Sequence, residues 1–93
     1  MDGSIARKQR QLDLNRMLGS LLAKLRKEHF LKQEDVAKQM DFKRPLISKI
    51  ENGYHTLNAM EVADYAKALG ISPEELFRHM CDIIEEYDDD RRE

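Results

Sequence analysis

The chain has 93 residues, of which 37% are charged and only 6% are aromatic. This length suits one compact domain with little room for a catalytic cavity, and the composition favours short amphipathic helices over a β-sandwich. The formal net charge is −2, but residues 1–50 carry twelve Lys or Arg against six Asp or Glu, and residues 51–93 carry four against twelve. The basic half is therefore suited to facing phosphates, with the acidic half turned away from them.

The few cysteines and histidines, and the absence of a long apolar stretch, limit the cellular compartments and the kinds of chemistry that the sequence suggests. Cys81 is the single cysteine and cannot form an internal disulfide, which favours a reducing compartment. Because no stretch approaches the ~18 apolar residues of a membrane helix, and residues 1–11 contain no apolar signal core, we expect a cytosolic or nuclear protein with no membrane partner. His79 and Cys81 would point to different sides of a helix, and no nucleophile–base pair is evident. We therefore expect no metal site, no cofactor and no enzymatic activity.

The first two predicted helices lie in the basic half. Residues 1–11 are polar and basic and lack an apolar face, so they are predicted to form a mobile arm that is either disordered or reaches into a minor groove. Residues 13–28 carry Leu and Met at i, i+3, i+4 and i+7, which predicts the first helix. Residues 33–40 repeat this pattern and predict the second. The glycines are interpreted as marking helix ends.

Two further helices are bounded by recognisable residues. Residues 44–52 predict a third helix, with Pro45 in its first turn, where a missing N–H costs little, and Gly53 just past its end. A fourth helix is predicted over residues 59–69, between an Asn N-cap and a Gly. Its predicted inner face consists of Ala59, Val62, Ala63, Ala66 and Leu69.

The fifth predicted helix has the clearest start and leads into a C-terminal extension. Ser72 is a good N-cap, Pro73 suits the first helical position, and Glu75 completes a capping box. Residues 79–93 continue the helix as an amphipathic extension with a charged end, and its apolar stripe packs either on the chain's own core or on a second subunit. The candidate dimer contacts are Phe77, Met80, Ile84 and Tyr87.

Two short helices joined by about three residues, at 33–40 and 44–52, have the spacing of a helix-turn-helix, whose second helix enters the major groove. Arg44, Ser48 and Lys49 on its polar face are predicted to read base edges, since Arg and Lys suit guanine O6 and N7. Predicted phosphate contacts are Gln33, Lys43, Asn52 and Tyr54. Spacing alone leaves a plain helical bundle with solvated surface charges equally open.

Four segments resemble, in chain order, the Cro/cI-type helix-turn-helix domain, also called the XRE family, of phage repressors and bacterial regulators. They are LLAKLRKE, KQEDVAKQM, PLISKIENG and VADYAKALGISPEELF. The resemblance covers residues 18–77 and extends through all five helices. It implies an all-α fold: a five-helix lambda-repressor-like DNA-binding domain over residues 12–78, followed by a short helical extension.

The resemblance also implies roles for individual residues. Gln33 matches a glutamine that caps the second helix and contacts a phosphate, and Asn52 matches another phosphate contact. Arg26 and Glu51 match a pair that, in some members, forms a buried ion pair between the first and third helices. The positions that face bases are occupied by Arg44, Pro45, Ser48 and Lys49. Pro45 can offer a base only apolar contact.

The chain departs from the family pattern at both helix starts and at the turn. Lys32 and Lys43 stand where the family usually has Ser or Thr, and both are poor N-caps. Asp41 replaces the common turn glycine. Two caps are therefore lost and two positive charges gained beside the expected DNA face, which predicts binding that depends on phosphate attraction and a domain of reduced stability.

These patterns predict a cytoplasmic, sequence-specific DNA-binding transcriptional regulator, a repressor that binds a palindromic operator as a homodimer. One alternative is an antitoxin that binds a toxin protein as well as its operator. Another is a protein-interaction module that keeps the fold and has lost DNA binding. Charge reversal at Lys49 discriminates the last of these, since an interaction module that binds elsewhere would not respond.

Overall fold

The computed structural model describes residues 3–91, and within that range it contains five α-helices and no strand. They are α1 (Gly3–Glu28), α2 (Gln33–Met40), α3 (Arg44–Glu51), α4 (Ala59–Leu69) and α5 (Pro73–Asp90). The predicted all-α, five-helix fold is confirmed. The outermost residues of the two predicted terminal segments, residues 1–2 and 92–93, lie outside the described range. Within residues 3–91, no helix is long and apolar enough to cross a membrane, and no cluster of His, Cys, Asp or Glu is arranged to hold a metal ion.

One hydrophobic core joins all five helices. Its buried side chains are Leu22 and Leu25 of α1, Val36 and Ala37 of α2, Ile47 and Ile50 of α3, Val62, Tyr65, Ala66 and Leu69 of α4, and Leu76 of α5. Helices as short as α2 and α3 are marginal in isolation, so this shared burial stabilises them more than their intrinsic propensity does. The orientation of α3 is therefore fixed by its packing on α1 and α2.

The inner face of α4 includes a residue that the sequence pattern missed. Tyr65 is fully buried, whereas Ala59, which was predicted to face inward, is exposed. The ring fills core volume, but the hydroxyl has no hydrogen-bond partner among the described residues. Burial raises the pKa of the Tyr65 hydroxyl well above its ordinary value, with Glu51 as a further cause. The predicted positions Val62 and Ala66 are buried.

The basic N-terminal segment is part of α1, which corrects its prediction as a separate arm. Residues 3–11 are helical, and the amide of Gln9 donates to the carboxylate of Asp13 at 2.9 Å. Arg10 donates two hydrogen bonds to Asp88 of α5, at 3.1 and 3.3 Å. Side-chain pairs four residues apart favour the helix locally. The contact between Arg10 and α5, which is distant in sequence, attaches this first part of α1 to the rest of the fold.

The C-terminal extension is continuous with the domain. α5 runs unbroken through residue 79 and packs against α1, where the Tyr87 hydroxyl donates to an Asp13 carboxylate oxygen at 2.7 Å. This hydrogen bond is the main reason that the pKa of Asp13 is lowered. The guanidinium of Arg91 lies 3.5 Å from the centre of the Tyr87 ring. The sequence left open whether Tyr87 packs on its own chain or on a second subunit, and the structure shows that it packs on its own chain.

Glycines mark helix ends at two positions but not at a third. Gly53 and Gly70 have φ angles of +81° and +83°, as expected for residues that end helices. Gly19 instead lies inside α1, which corrects its interpretation as a helix boundary. A Cβ atom at Gly19 would lie 2.5 Å from the carbonyl oxygens of both Ile50 and Glu51. The backbones of α1 and α3 therefore touch at Gly19.

Capping differs between the two halves of the chain, as the sequence predicted. The side chains of Lys32 and Lys43 make no capping hydrogen bond at the starts of α2 and α3. At the start of α4, Asn58 accepts from the N–H of Glu61 at 2.8 Å, and at the start of α5 Ser72 accepts from the third residue of that helix. α2 and α3 thus lack the N-cap side-chain bond that begins α4 and α5, although the Asp35 carboxylate of α2 accepts from the Lys32 N–H at 2.8 Å.

Two residues that end helices occupy the left-handed region without being glycine, and replacing them with glycine is expected to stabilise the protein. Phe30 has φ +58° and is 95% exposed, and Asp41 has φ +57°. We expect Phe30→Gly to raise the free energy of unfolding by about 0.5–1 kcal/mol, since strain is relieved and no buried contact is lost. Asp41→Gly should gain less, because Asp tolerates this region better. Urea denaturation measures both, and a loss of stability for Phe30→Gly would contradict the argument.

Candidate nucleic-acid interface

α2 and α3 form a compact helix-turn-helix unit. The turn comprises residues 41–43, in which Asp41 reverses the chain and the N–H of Phe42 donates to the Ala37 carbonyl at 2.9 Å. Lys43 is extended and exposed, and α3 follows immediately. The predicted connection of three residues is confirmed. This short turn places α3 across α2, with one face of α3 packed on the core.

The opposite face of α3 is free to approach a ligand. Arg44, Pro45 and Lys49 are exposed and Ser48 is half-buried, while Ile47 and Ile50 are buried on the other face. These are the four positions predicted to face bases. They share one helix face, and a single helix of this kind fits the major groove of B-DNA.

A buried ion pair attaches the end of α3 to α1. Arg26 contacts Glu51 through Nε at 2.7 Å and Nη2 at 3.2 Å, and their side chains are 11% and 7% exposed. The remaining guanidinium nitrogen donates to the Leu31 carbonyl at 2.8 Å. The hydrogen bond to Glu51 is the main cause of a raised Arg26 pKa. The pair implied by the family resemblance is therefore present, and it also holds the connection between α1 and α2.

The ion pair continues outward as a chain of hydrogen bonds to the first residue of α3. Gln33 Nε2 donates to Glu51 Oε1 at 2.9 Å, and Arg44 Nη1 donates to Gln33 Oε1 at 3.2 Å. This arrangement turns the donor end of the Gln33 amide inward and its acceptor end outward, so the side chain orients Arg44. The backbone N–H groups at the start of α2, which the Lys32 side chain does not cap, are the donors suited to a phosphate.

The residues that follow α3 form the other end of the interface. The Asn52 amide donates to the Ser48 carbonyl at 2.8 Å and so caps the last turn of α3. Tyr54 is 82% exposed, and its N–H donates to the Lys49 carbonyl at 2.8 Å. Gly53 lies directly against the α1 backbone. This anchored loop therefore exposes the Tyr54 side chain two residues after Asn52.

Two lysines of α1 complete this surface, although the sequence patterns gave them no role. Lys24 and Lys27 line an open groove of about 820 Å³, together with Gln33 and Asn52, the two phosphate contacts implied by the family resemblance. The lysines are three residues apart and therefore share a helix face. That spacing was the available signal, but only the packing of α1 beside α2 and α3 shows that this face adjoins the interface. Lys24 and Lys27 thus supply two ammonium groups of the kind that contact phosphates beside Gln33 and Asn52.

The candidate dimer contacts lie on α5 and are not all available to a partner. Tyr87 is only 6% exposed and packs against α1, and Met80 packs against the core. Phe77 and Ile84 are 40% and 37% exposed. Only these two of the four present a substantial apolar surface for a second subunit.

Comparison with known proteins assigns the fold to a family. The family model described as a helix-turn-helix domain matches residues 19–79. The chain belongs to this helix-turn-helix family. A relative is the uncharacterised HTH-type transcriptional regulator y4dJ of Sinorhizobium fredii, 34% identical over 65 residues, which are 70% of this chain and 84% of that protein. Another is the control protein C.MunI of a Mycoplasma species, 39% identical over 66 residues, which are 70% of this chain and 89% of that protein.

A solved structure agrees with this assignment. The restriction-modification controller protein C.AhdI of Aeromonas hydrophila matches with a TM-score of 0.64 and 30% identity, over 71% of this chain and 94% of that chain. The predicted class, a DNA-binding transcriptional regulator of the helix-turn-helix type, is confirmed. The helix-turn-helix match ends where α5 passes residue 79 and begins inside α1 at residue 19. The remaining parts of α1 and α5 contact each other through the Asp13 and Asp88 hydrogen bonds.

Proposed function

We propose that this helix-turn-helix protein represses transcription by inserting α3 into the major groove of an inverted-repeat operator as a homodimer. The observation that supports this most directly is the hydrogen-bond chain that ends at Arg44. Arg44 stands at the N-terminal end of α3, where helix-turn-helix proteins contact bases, and Gln33 holds it in place. A preoriented guanidinium loses less side-chain entropy on binding guanine than a free one.

Phosphate contacts would position this helix on the duplex. Asn52 and Tyr54 flank one end of α3, Lys43 stands at the other, and Lys24 and Lys27 line the groove beside them. Each lysine that neutralises a phosphate releases a counterion, so operator affinity should fall steeply with salt. Two-fold symmetry would place the two copies of α3 about 34 Å apart, one turn of DNA.

A more specific form of the proposal is control of a restriction–modification system. Two of the similar proteins are named as a control protein and as a restriction-modification controller protein. Both are at least 30% identical to this chain and are covered over most of their length. The operator would then lie upstream of the genes for a restriction endonuclease, a methyltransferase or the regulator itself. Recovery of such sites in a genomic selection with the purified protein would support this role.

Base and phosphate contacts are expected to respond differently to substitution. Arg44→Ala should lower operator affinity by about 10–100-fold and relax the preference at one base position. Lys24→Ala should weaken binding to all sequences alike and reduce the slope of log affinity against log salt by about 0.9. The slope, measured by fluorescence anisotropy between 50 and about 200 mM salt, separates the two.

Lys67→Ala is the matched control, because Lys67 is an exposed lysine of α4, away from the groove. It should change neither the selected motif nor the salt slope. If no inverted repeat is selected, and if Lys24→Ala and Lys67→Ala behave alike, the proposed DNA-binding surface is wrong.

A further inference from the structure

The loop between α1 and α2 carries the most exposed aromatic ring among residues 3–91. Phe30 is 95% exposed and has φ +58°, and it is not one of the side chains that pack on the hydrophobic core. An apolar ring in water and a left-handed backbone at a non-glycine residue are both unfavourable for folding. Strained residues of this kind cluster where ligands are bound. Phe30 therefore points to a role other than stabilising the fold.

Hydrogen bonds hold this loop against the end of α1. The N–H of Phe30 donates to the Lys27 carbonyl, and the N–H of Leu31 donates to the Arg26 carbonyl, each at 3.0 Å. The Arg26 guanidinium, which is paired with Glu51 of α3, donates to the Leu31 carbonyl at 2.8 Å. The backbone that carries the ring is thus fixed relative to α3, and a group that is already fixed loses little entropy on binding.

The same loop lies beside the groove that Lys24 and Lys27 line. Glu28, directly before the loop, and Gln33, directly after it, also line that groove. The lining has three cationic residues against two carboxylates, and one of these carboxylates, Glu51, is held in the buried ion pair. The ring therefore adjoins the positive surface on which the operator backbone is proposed to lie.

We propose that the Phe30 ring packs on deoxyribose sugars of the minor groove that flanks each half of the operator. The inference rests on the proposed DNA binding and adds an apolar contact to it. With α3 in the major groove and the adjacent backbone along the lysines of α1, the surface beyond that backbone is the neighbouring minor groove. Its sugars present apolar C–H groups, and phenylalanine is one of the side chains that proteins place in minor grooves.

The surroundings of the ring favour DNA over a protein as its partner. Lys27 and Lys32 are exposed on either side of Phe30. Among the described residues between Leu12 and Tyr54, Phe30 is the only exposed large hydrophobic residue. A stable protein–protein interface needs a larger apolar centre that is poor in lysine. A single ring between two lysines suits a duplex, in which apolar sugars alternate with phosphates.

Hydroxyl-radical footprinting tests the contact directly, because the radical cleaves deoxyribose from the minor groove. The DNA is the operator recovered by selection, extended at each end by about one helical turn. The wild-type chain should protect sugars just outside each half of the operator. Phe30→Gly should lose this flanking protection and keep the protection within the operator, whereas Phe30→Tyr, which keeps the ring, should retain both. Equal flanking protection by all three proteins would overturn the inference.

Affinity gives a second readout that a general loss of structure would not reproduce. Phe30→Gly should bind the extended operator about tenfold more weakly, as expected for the lost burial of part of a ring. The slope of log affinity against log salt should stay unchanged, since an apolar contact releases no counterion. On DNA trimmed to the edges of the operator, wild type and variant should bind alike. Phe30→Asn, whose side chain tolerates the left-handed region, should behave as Phe30→Gly does.

Met60→Ala is the matched control, because it removes another exposed apolar side chain, 78% exposed on α4, outside the groove. It should change neither the footprint nor the affinity. Phe30→Gly is expected to unfold at a higher urea concentration than wild type, so weaker binding by this variant cannot come from a less stable fold. An affinity loss of the same size on extended and trimmed DNA, or no loss on either, would refute the minor-groove contact.

These outcomes are separable from those of the proposed function. If Arg44→Ala and Lys24→Ala weaken operator binding while Phe30→Gly does not, the function stands and the contact of Phe30 is refuted. If the wild-type chain selects no operator, the proposed function is wrong and the contact is refuted with it.

Discussion

Arg26→Met is expected to lower the free energy of unfolding by about 3–5 kcal/mol. Methionine keeps much of the apolar stem but leaves Glu51 with a charge at 7% side-chain exposure and no cationic partner at the site of the pair. The Leu31 carbonyl loses its guanidinium donor as well. Domains of this size are stabilised by only about 5–15 kcal/mol, so a loss of this size is a large part of the whole. Urea denaturation followed by circular dichroism measures it.

The double variant Arg26→Met, Glu51→Met distinguishes a stranded charge from lost packing. Replacing both members of a buried pair by apolar residues is often neutral or stabilising, so most of the lost stability should return. Operator binding should not return, because Gln33 loses the carboxylate that orients it and Arg44 loses the oriented Gln33. A single variant as stable as wild type, or a double variant no more stable than the single one, would contradict this account of the pair.

Helix boundaries could be predicted from sequence where the residues that fix them are close together in the chain, and not where those residues are far apart. α4 and α5 were predicted at their observed starts because Asn58 and Ser72 cap through bonds to residues only three positions away. α1 was predicted to begin ten residues too late. Its first turns are tied to the fold by Arg10 and Asp88, which are 78 residues apart, and no local pattern reports such a contact.

In the candidate site, too, features that depend on neighbouring residues were predictable, and features that depend on distant residues were not. The exposed face of α3 follows from its apolar spacing, so Arg44 and Lys49 could be selected from sequence. The orientation of Gln33 could not, because it depends on the position of the Glu51 carboxylate, which lies 18 residues away. The family resemblance implied the ion pair of Arg26 and Glu51, but not the hydrogen bonds that connect this pair through Gln33 to Arg44. Tyr65 fits the i, i+3, i+4, i+7 spacing of Val62, Ala66 and Leu69, but its hydroxyl makes full burial unexpected from sequence, and among residues 3–91 that hydroxyl has no hydrogen-bond partner.

Backbone contact between α1 and α3 places a further constraint on the recognition helix. Three attachments hold the end of α3 against α1: the ion pair of Glu51, the packing of Gly53 on Arg16, and the close approach at Gly19. The first is a polar interaction that a substitution can weaken gradually. The last is a steric contact between main chains, with no side chain able to move aside. We therefore expect the position of α3 to be most sensitive to the size of residue 19.

Gly19→Ala is expected to destabilise the protein by about 2 kcal/mol, although the same exchange in an open helix interior stabilises by about 1 kcal/mol. The added methyl group would lie 2.5 Å from two carbonyl oxygens of α3, so α1 and α3 must separate. Gly3→Ala is the matched control within α1 and should be nearly neutral, since among residues 3–91 no atom apart from its chain neighbours and its own helix backbone lies within 4 Å of a Cβ there. Thermal unfolding compares the two variants, and operator affinity should fall only for Gly19→Ala. If Gly19→Ala proved as stable as Gly3→Ala, the close crossing could not be what fixes α3.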